Sequence, residues 1–149
     1  MRPLRAAVVG TGHLGQAHAR ILNESEHSDL VAIVDSDATR RSEIAGRHGA
    51  QPCATLGELP EGIEAVVVAT PTVTHHEIGL ELLRRGIHVL VEKPLAPSNA
   101  EAQELVDAAA AAGVVLQVGH VERFNPALTA SHTRVREPKF IEATRSSGF

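Results

Sequence analysis

A chain of 149 residues, 43% of them hydrophobic, is long enough for one packed domain and too apolar for a disordered tail. Its net charge of −4, from 14 basic and 18 acidic residues spread along the chain, supplies no basic block for a nucleic-acid backbone. No apolar run nears the ~20 residues that cross a bilayer, a single cysteine (Cys53) excludes an internal disulfide framework, and "MRPLRAAVVG" lacks a secretory signal's long apolar core and cleavage site. The expectation is a cytoplasmic protein without nucleic-acid or membrane partners.

There is no Trp or Tyr, and the three Phe (Phe124, Phe140, Phe149) all lie in the last 26 residues. The preceding core must be built from Val, Ile, Leu and Ala, the residues of parallel strands covered by helices. The shift in composition near residue 122 divides the chain into a domain over 1–122 and the start of a second unit over 123–149.

In chain order, the strand-length apolar runs are Leu4–Val9, Leu30–Val34, a short one around Gln51–Cys53, Glu64–Ala69, His88–Val91 and Val114–Val118. Segments of helical period separate them, the first with Leu14, Ala17, Ile21 and Leu22 on one face. Ser/Thr-x-x-Glu, in which side chain and backbone cap each other, marks helix starts at Thr55–Glu58, Thr74–Glu77 and Ser98–Glu101. The last opens an Ala-rich helix to Ala112 that Gly113 is placed to end. Strand and helix alternating without hairpin signals predict a doubly wound α/β fold, a parallel sheet with helices on both faces.

"VVGTGHLGQAHA" (Val8–Ala19) sets Gly10-x-Gly12-x-x-Gly15 between the first strand and the first helix. In a dinucleotide fold the first glycine permits the tight turn, the second admits a pyrophosphate to the backbone, and the third lets helix and strand pack closely. The helix start, with Thr11, His13 and Leu14 beside the glycines, then offers amide groups and a partial positive charge to the anion. Asp35, followed by Ser36, ends the second strand 20 residues after Gly15, where a carboxylate accepts bonds from the adenosine ribose. The bland alternative is a structural turn with an ordinary capping Asp. A carboxylate at Asp35 favours NAD over NADP; Arg40 and Arg41 would soften that preference, but are read as lying on the solvated face of the second helix. Asp37 reads as that helix's N-cap.

Three further stretches accompany this loop: "ATPTVTHHEI" (Ala69–Ile78), "GIHVLVEKPLA" (Gly86–Ala96) and "VGHVERFNPA" (Val118–Ala127). In this order and spacing the chain resembles the glucose-fructose oxidoreductase/inositol dehydrogenase (Gfo/Idh/MocA) family, with Glu92-Lys93-Pro94 as the most specific element. The resemblance implies a Rossmann domain followed by an α+β substrate domain, and a nicotinamide-dependent oxidoreductase, homo-oligomeric in full-length form, acting on a sugar, polyol or nucleotide sugar. It implies that Ala69, Thr70 and Pro71 line the cofactor channel and that His75 matches a motif histidine; Thr72 stands where the family often carries Asn. It further implies that Glu92 lies near the nicotinamide ribose, that Pro94 shapes the turn, and that Lys93 is the catalytic residue, its charged form disfavoured beside the cationic ring. Without the resemblance, Lys93 reads as a surface lysine in an exposed turn.

His75-His76 is not a metal pair, because helical neighbours do not face one site and no Cys or carboxylate cluster accompanies them. His18 and His88 read as packing or surface histidines. Arg123 either orients cofactor or substrate phosphate through its planar fork, or ties two domains together. "PKFIEATRSSGF" (Pro138–Phe149) reads as the first strand of the substrate domain, poorly ordered or paired with another copy. The chain is then a fragment with a complete cofactor site and half of a catalytic one. "GHVERFNPA" followed by "FIEATR" resembles the branch that oxidises nucleotide-activated amino sugars such as UDP-N-acetylglucosamine. The competing reading is a catalytically silent NAD(H)-binding sensor or scaffold.

Overall fold

A computed structural model describes residues 2–132 together with Glu137, Lys139, Phe140, Glu142 and Thr144. The chain divides into a unit spanning Met1–Gly119 and a second spanning His120–Phe149.

The first unit is a six-stranded sheet of β1 (Leu4–Val9), β2 (Ser28–Val34), β3 (Gln51–Cys53), β4 (Ala65–Val68), β5 (His88–Val91) and β6 (Leu116–Val118). Every pairing is parallel and the spatial order is β3-β2-β1-β4-β5-β6. The order reverses between β1 and β4, creating the crevice where open α/β sheets hold their ligands. Helices α1 (His13–Glu24), α2 (Ala38–His48), α3 (His75–Arg84) and α4 (Asn99–Ala112) supply the crossovers.

Alternation along the strands feeds two cores. Val8, Ile33 and Val67 pack with Ala19 of α1 and Ile44 and Ala45 of α2 on one face. Ala7, Val9, Val66 and Val68 pack with Leu82 and Leu83 of α3 and Leu105 and Ala109 of α4 on the other. Strands β1, β2, β4 and β5 therefore carry apolar residues on both sides, which is why they read as apolar runs.

Three local expectations fail: Thr55 precedes the 3₁₀ turn Leu56–Glu58 without a side-chain cap bond, and two more concern α1 and α3. The face of α1 turned to the sheet carries Gly15 and Ala19, whereas Leu14 and Ile21 are 43% and 53% exposed. Gly15 sets this rotation: a Cβ there would lie 1.8 Å from the Gly10 carbonyl oxygen, so only a bare Cα can face the β1 turn. Thr74 precedes α3 without capping it; its hydroxyl bonds Thr70 Oγ1 and the Pro71 carbonyl instead, both at 2.8 Å. At Ser98 the side-chain cap forms, with Ser98 Oγ accepting from the Glu101 amide and itself donating to the Glu101 carboxylate, and Gly113 closes α4 at φ +66°.

The second unit holds a 3₁₀ turn, Val121–Phe124, and α5 (Pro126–His132). The strand expected over Pro138–Phe149 falls outside the described residues except for isolated positions. Among the described residues, no helix is long and apolar enough to cross a membrane.

Candidate dinucleotide-binding site

The carboxyl edge of the sheet gathers the chemistry. Gly10 leaves β1 at φ +88°, where a Cβ would lie 2.7 Å from the Ala69 carbonyl oxygen, so the loop turns tightly against the end of β4. Gly12 caps α1 without a side-chain hydrogen bond, and the first turn, with His13 and Leu14, carries no acidic residue. The opening amides of a helix have no intrahelical partner. A Cβ built on Gly12 would meet nothing within 4 Å, so the backbone there faces open space. This is a cradle of donors with room for an anion.

Asp35 stands one strand away. Its Oδ2 accepts from the Thr11 amide at 2.7 Å and the Thr11 hydroxyl at 2.5 Å, and its Oδ1 from the Asp37 amide at 2.8 Å and Arg40 Nη2 at 3.4 Å. Burial opposes charge on this carboxyl, but the bonds from Thr11, Asp37 and Arg40 prevail and hold its pKa below the ordinary value. Asp37 caps α2 through the amides of Thr39 and Arg40. Arg40 and Arg41 do not simply point into solvent, as the sequence reading puts them. Arg40 reaches Asp35 and Asp37, and Arg41 donates to the carbonyls of Asp35 and Ser36 at 3.1 and 3.3 Å. A turn that exposes two carbonyls and two carboxylates at one helix start draws both guanidinium groups back to it.

Beyond β4, Ala69 and Thr70 are half-buried and Pro71 is exposed, leading into the 3₁₀ turn Thr72–Thr74. His75 is 1% exposed, with Nδ1 2.9 Å from the Pro94 carbonyl oxygen and Nε2 2.8 Å from that of Thr70. Each ring nitrogen stands within hydrogen-bond distance of a carbonyl oxygen on a different turn. His75 thus ties the β4 turn to the β5 turn, and neither ring nitrogen points away from these carbonyls. His76 diverges to Glu104 of α4 at 2.8 Å.

At the end of β5, Glu92 is 5% exposed. His18 Nε2 of α1 donates to its Oε1 at 2.8 Å, and the Lys93 amide donates to its Oε2 at 3.1 Å. Gly119 supplies the space: a Cβ there would lie 3.0 Å from the carboxyl carbon and both oxygens. Lys93 is exposed and precedes Pro94 through a cis peptide bond. Arg123 lies in the 3₁₀ turn of the second unit, where its amide donates to the His120 carbonyl at 3.0 Å.

One edge thus brings together Gly10, Gly12, Gly15, Asp35, Ala69–Pro71, His75 and Glu92–Pro94. The ends of β2 and β5 are three strand steps apart, about 14 Å at ordinary sheet spacing. An open amide cradle at the switch point, with a carboxylate to one side and the Glu92–Lys93 turn to the other, suits a dinucleotide laid across the edge. The sequence reading misses His18, since nothing local in the chain signals a partner 74 residues away.

Sheet order, glycine loop and acidic strand end together define an α/β domain of the Rossmann type. The chain belongs to the Gfo/Idh/MocA family, whose model, described as "Oxidoreductase family, NAD-binding Rossmann fold", matches residues 4–120. It is 31% identical over 147 residues to a UDP-N-acetylglucosamine 3-dehydrogenase of Acidithiobacillus ferrooxidans, covering 98% of this chain and 46% of that protein. It is 40% identical over 130 residues to inositol 2-dehydrogenase 4 of Saccharopolyspora erythraea, covering 84% of this chain and 38% of that protein. Among solved structures, GenD2 from gentamicin A biosynthesis, in complex with NAD, superposes with a TM-score of 0.87 at 38% identity over 90% of this chain and 39% of its own. The chain therefore spans less than half the length of these relatives.

Proposed function

We propose that this chain supplies the NAD site and the lysine of an oxidoreductase acting on a hydroxyl-bearing carbon of a sugar, polyol or nucleotide sugar. The observation that carries the reading is the open backbone at Gly12, flanked by Asp35 and, at the same sheet edge, by the Glu92–Lys93–Pro94 turn. The relatives named above, one with a nucleotide sugar and one with inositol in its name, support the substrate class.

In this reading the amides of the first turn of α1 hold the diphosphate, Asp35 receives the adenosine ribose, and Glu92 stands at the nicotinamide ribose. When bound, the nicotinamide supplies the hydride acceptor or donor. Oxidising a carbinol also releases the hydroxyl proton; Lys93 would take it at Nζ only when that nitrogen is in its neutral amine form, and would return it from the ammonium form in the reverse direction.

Titration of the chain with NADH tests the cofactor half. With no Trp or Tyr in the sequence, the emission of NADH itself is the reporter. Saturable binding is expected, and its absence would remove the reading. Lys93→Ala should keep NADH affinity within about threefold, while abolishing turnover of a sugar, polyol or nucleotide sugar in a form extended to the length of the relatives. Loss of NADH binding together with turnover would make Lys93 a structural residue.

A further inference from the structure

We propose that His18 is a positioning residue, acting through Glu92 to set where the Lys93 turn lies against the cofactor edge. The inference rests on the reading of Glu92 and Lys93 given under Proposed function.

Three observations converge. The first is the chain of bonds: His18 Nε2 holds Glu92 Oε1 at 2.8 Å, and the other oxygen of the same carboxylate holds the Lys93 amide at 3.1 Å. A pull on one oxygen is therefore transmitted to the backbone of Lys93. The second is enclosure. Glu92 is 5% exposed, and its carboxyl group fills the space that Gly119 leaves by having no Cβ. One carboxylate oxygen is held by His18 and the other by the Lys93 amide. The third is the far side of the turn, where the Pro94 carbonyl bonds His75 at 2.9 Å. α1 and α3 pack on opposite faces of the sheet, so Lys93 is flanked by a residue gripped from each face.

Stability alone does not account for the pair. Replacing a buried ionisable pair with apolar residues of similar volume is often neutral or stabilising, and α1 already faces the sheet with Gly15 and Ala19. Among the described residues no side chain holds the Lys93 ammonium group itself. Its placement follows from the backbone on either side, and on the Glu92 side from His18.

The test compares the chain with His18→Leu and His18→Gln, the second keeping an N–H donor. Three readouts are taken: NADH affinity, ADP affinity by competition or calorimetry, and hydrogen exchange at the Lys93 amide. ADP engages the glycine loop and Asp35 but carries no nicotinamide. His18→Leu should weaken NADH about tenfold and speed Lys93 exchange about tenfold, as loss of one bond to a charged group predicts. ADP affinity should stay within about twofold, and His18→Gln should recover most of both losses. Unchanged NADH affinity and exchange in His18→Leu would overturn the proposal. So would a parallel fall in ADP affinity, because His18 would then merely support the fold. If the unaltered chain binds neither NADH nor ADP, the cofactor reading fails, and Lys93 exchange in the variants still decides whether His18 sets the turn.

Discussion

Thr11 donates both its amide and its hydroxyl to one oxygen of Asp35, at 2.7 and 2.5 Å. The glycine loop and the acidic end of β2, 24 residues apart, are thereby a single unit. Thr11 is fully buried, so its side chain serves the carboxylate and leaves the cradle to the backbone around Gly12. Thr11→Val keeps shape and volume but removes one bond to a charged acceptor. We expect a loss of about 2 kcal/mol in urea unfolding, with Asp35 still held by two amides.

The same bonds make stability depend on acid in a set direction. Asp35 titrates below its ordinary value in the folded chain, whereas an unfolded Asp titrates near ~3.9. Its contribution is complete above that value and is lost as pH falls through the folded pKa. The stability advantage of the unaltered chain over Asp35→Asn should accordingly hold steady at neutral pH and shrink below about pH 4. A constant difference across that range would show that the carboxylate draws no net stabilisation from its donors.

Arg40 bears on which dinucleotide is preferred. Four protein donors already occupy Asp35, and Arg40, at 3.4 Å and half-exposed, is the longest of these contacts. Two hydroxyls of an NAD ribose would displace it, whereas the 2′-phosphate of NADP would meet a guanidinium already in place. Arg40→Ala should leave NADH binding unchanged or tighter and weaken NADPH, widening the preference for NADH about fivefold in parallel titrations. Equal shifts for both would remove Arg40 from selectivity.

These contacts mark how far the sequence can be read. The inner strands were legible because they are apolar on both faces, and Leu4–Val9, Gln51–Cys53 and His88–Val91 stand at their expected bounds. The glycine loop was legible because its spacing is a steric code. The rotation of α1 was not, because the clash of a Cβ at residue 15 with the Gly10 carbonyl outweighs the apolar pattern of Leu14 and Ile21. The turning of Arg40 and Arg41 onto residues 35–37, and the His18–Glu92 bond, depend on tertiary placement that no local period records.

Gly119 offers a separate probe of the β5 turn. It has no need of a positive φ, so alanine is conformationally acceptable there. The added Cβ would press the Glu92 carboxyl at 3.0 Å, and that group is held by His18 and the Lys93 amide and has little room to yield. Gly119→Ala should cost about 1–2 kcal/mol by overpacking and weaken NADH more than ADP. Equal weakening of the two ligands would mean that the turn does not contact the nicotinamide half.

Gly12 and Gly15 separate folding from binding most sharply. A Cβ at Gly15 would fall 1.8 Å from a backbone oxygen that cannot move without breaking the β1 turn, so Gly15→Ala should destabilise the chain by about 3 kcal/mol or more. A Cβ at Gly12 would touch no protein atom within 4 Å, and Gly12 has φ −65°, which alanine adopts freely. Gly12→Ala should therefore fold with an unchanged melting temperature and lose NADH and ADP affinity together by about tenfold or more, since its methyl group enters the space assigned to the diphosphate. If Gly12→Ala binds both ligands as tightly as the unaltered chain, the anion does not lie on this backbone, however well the loop spacing matches one that cradles phosphate.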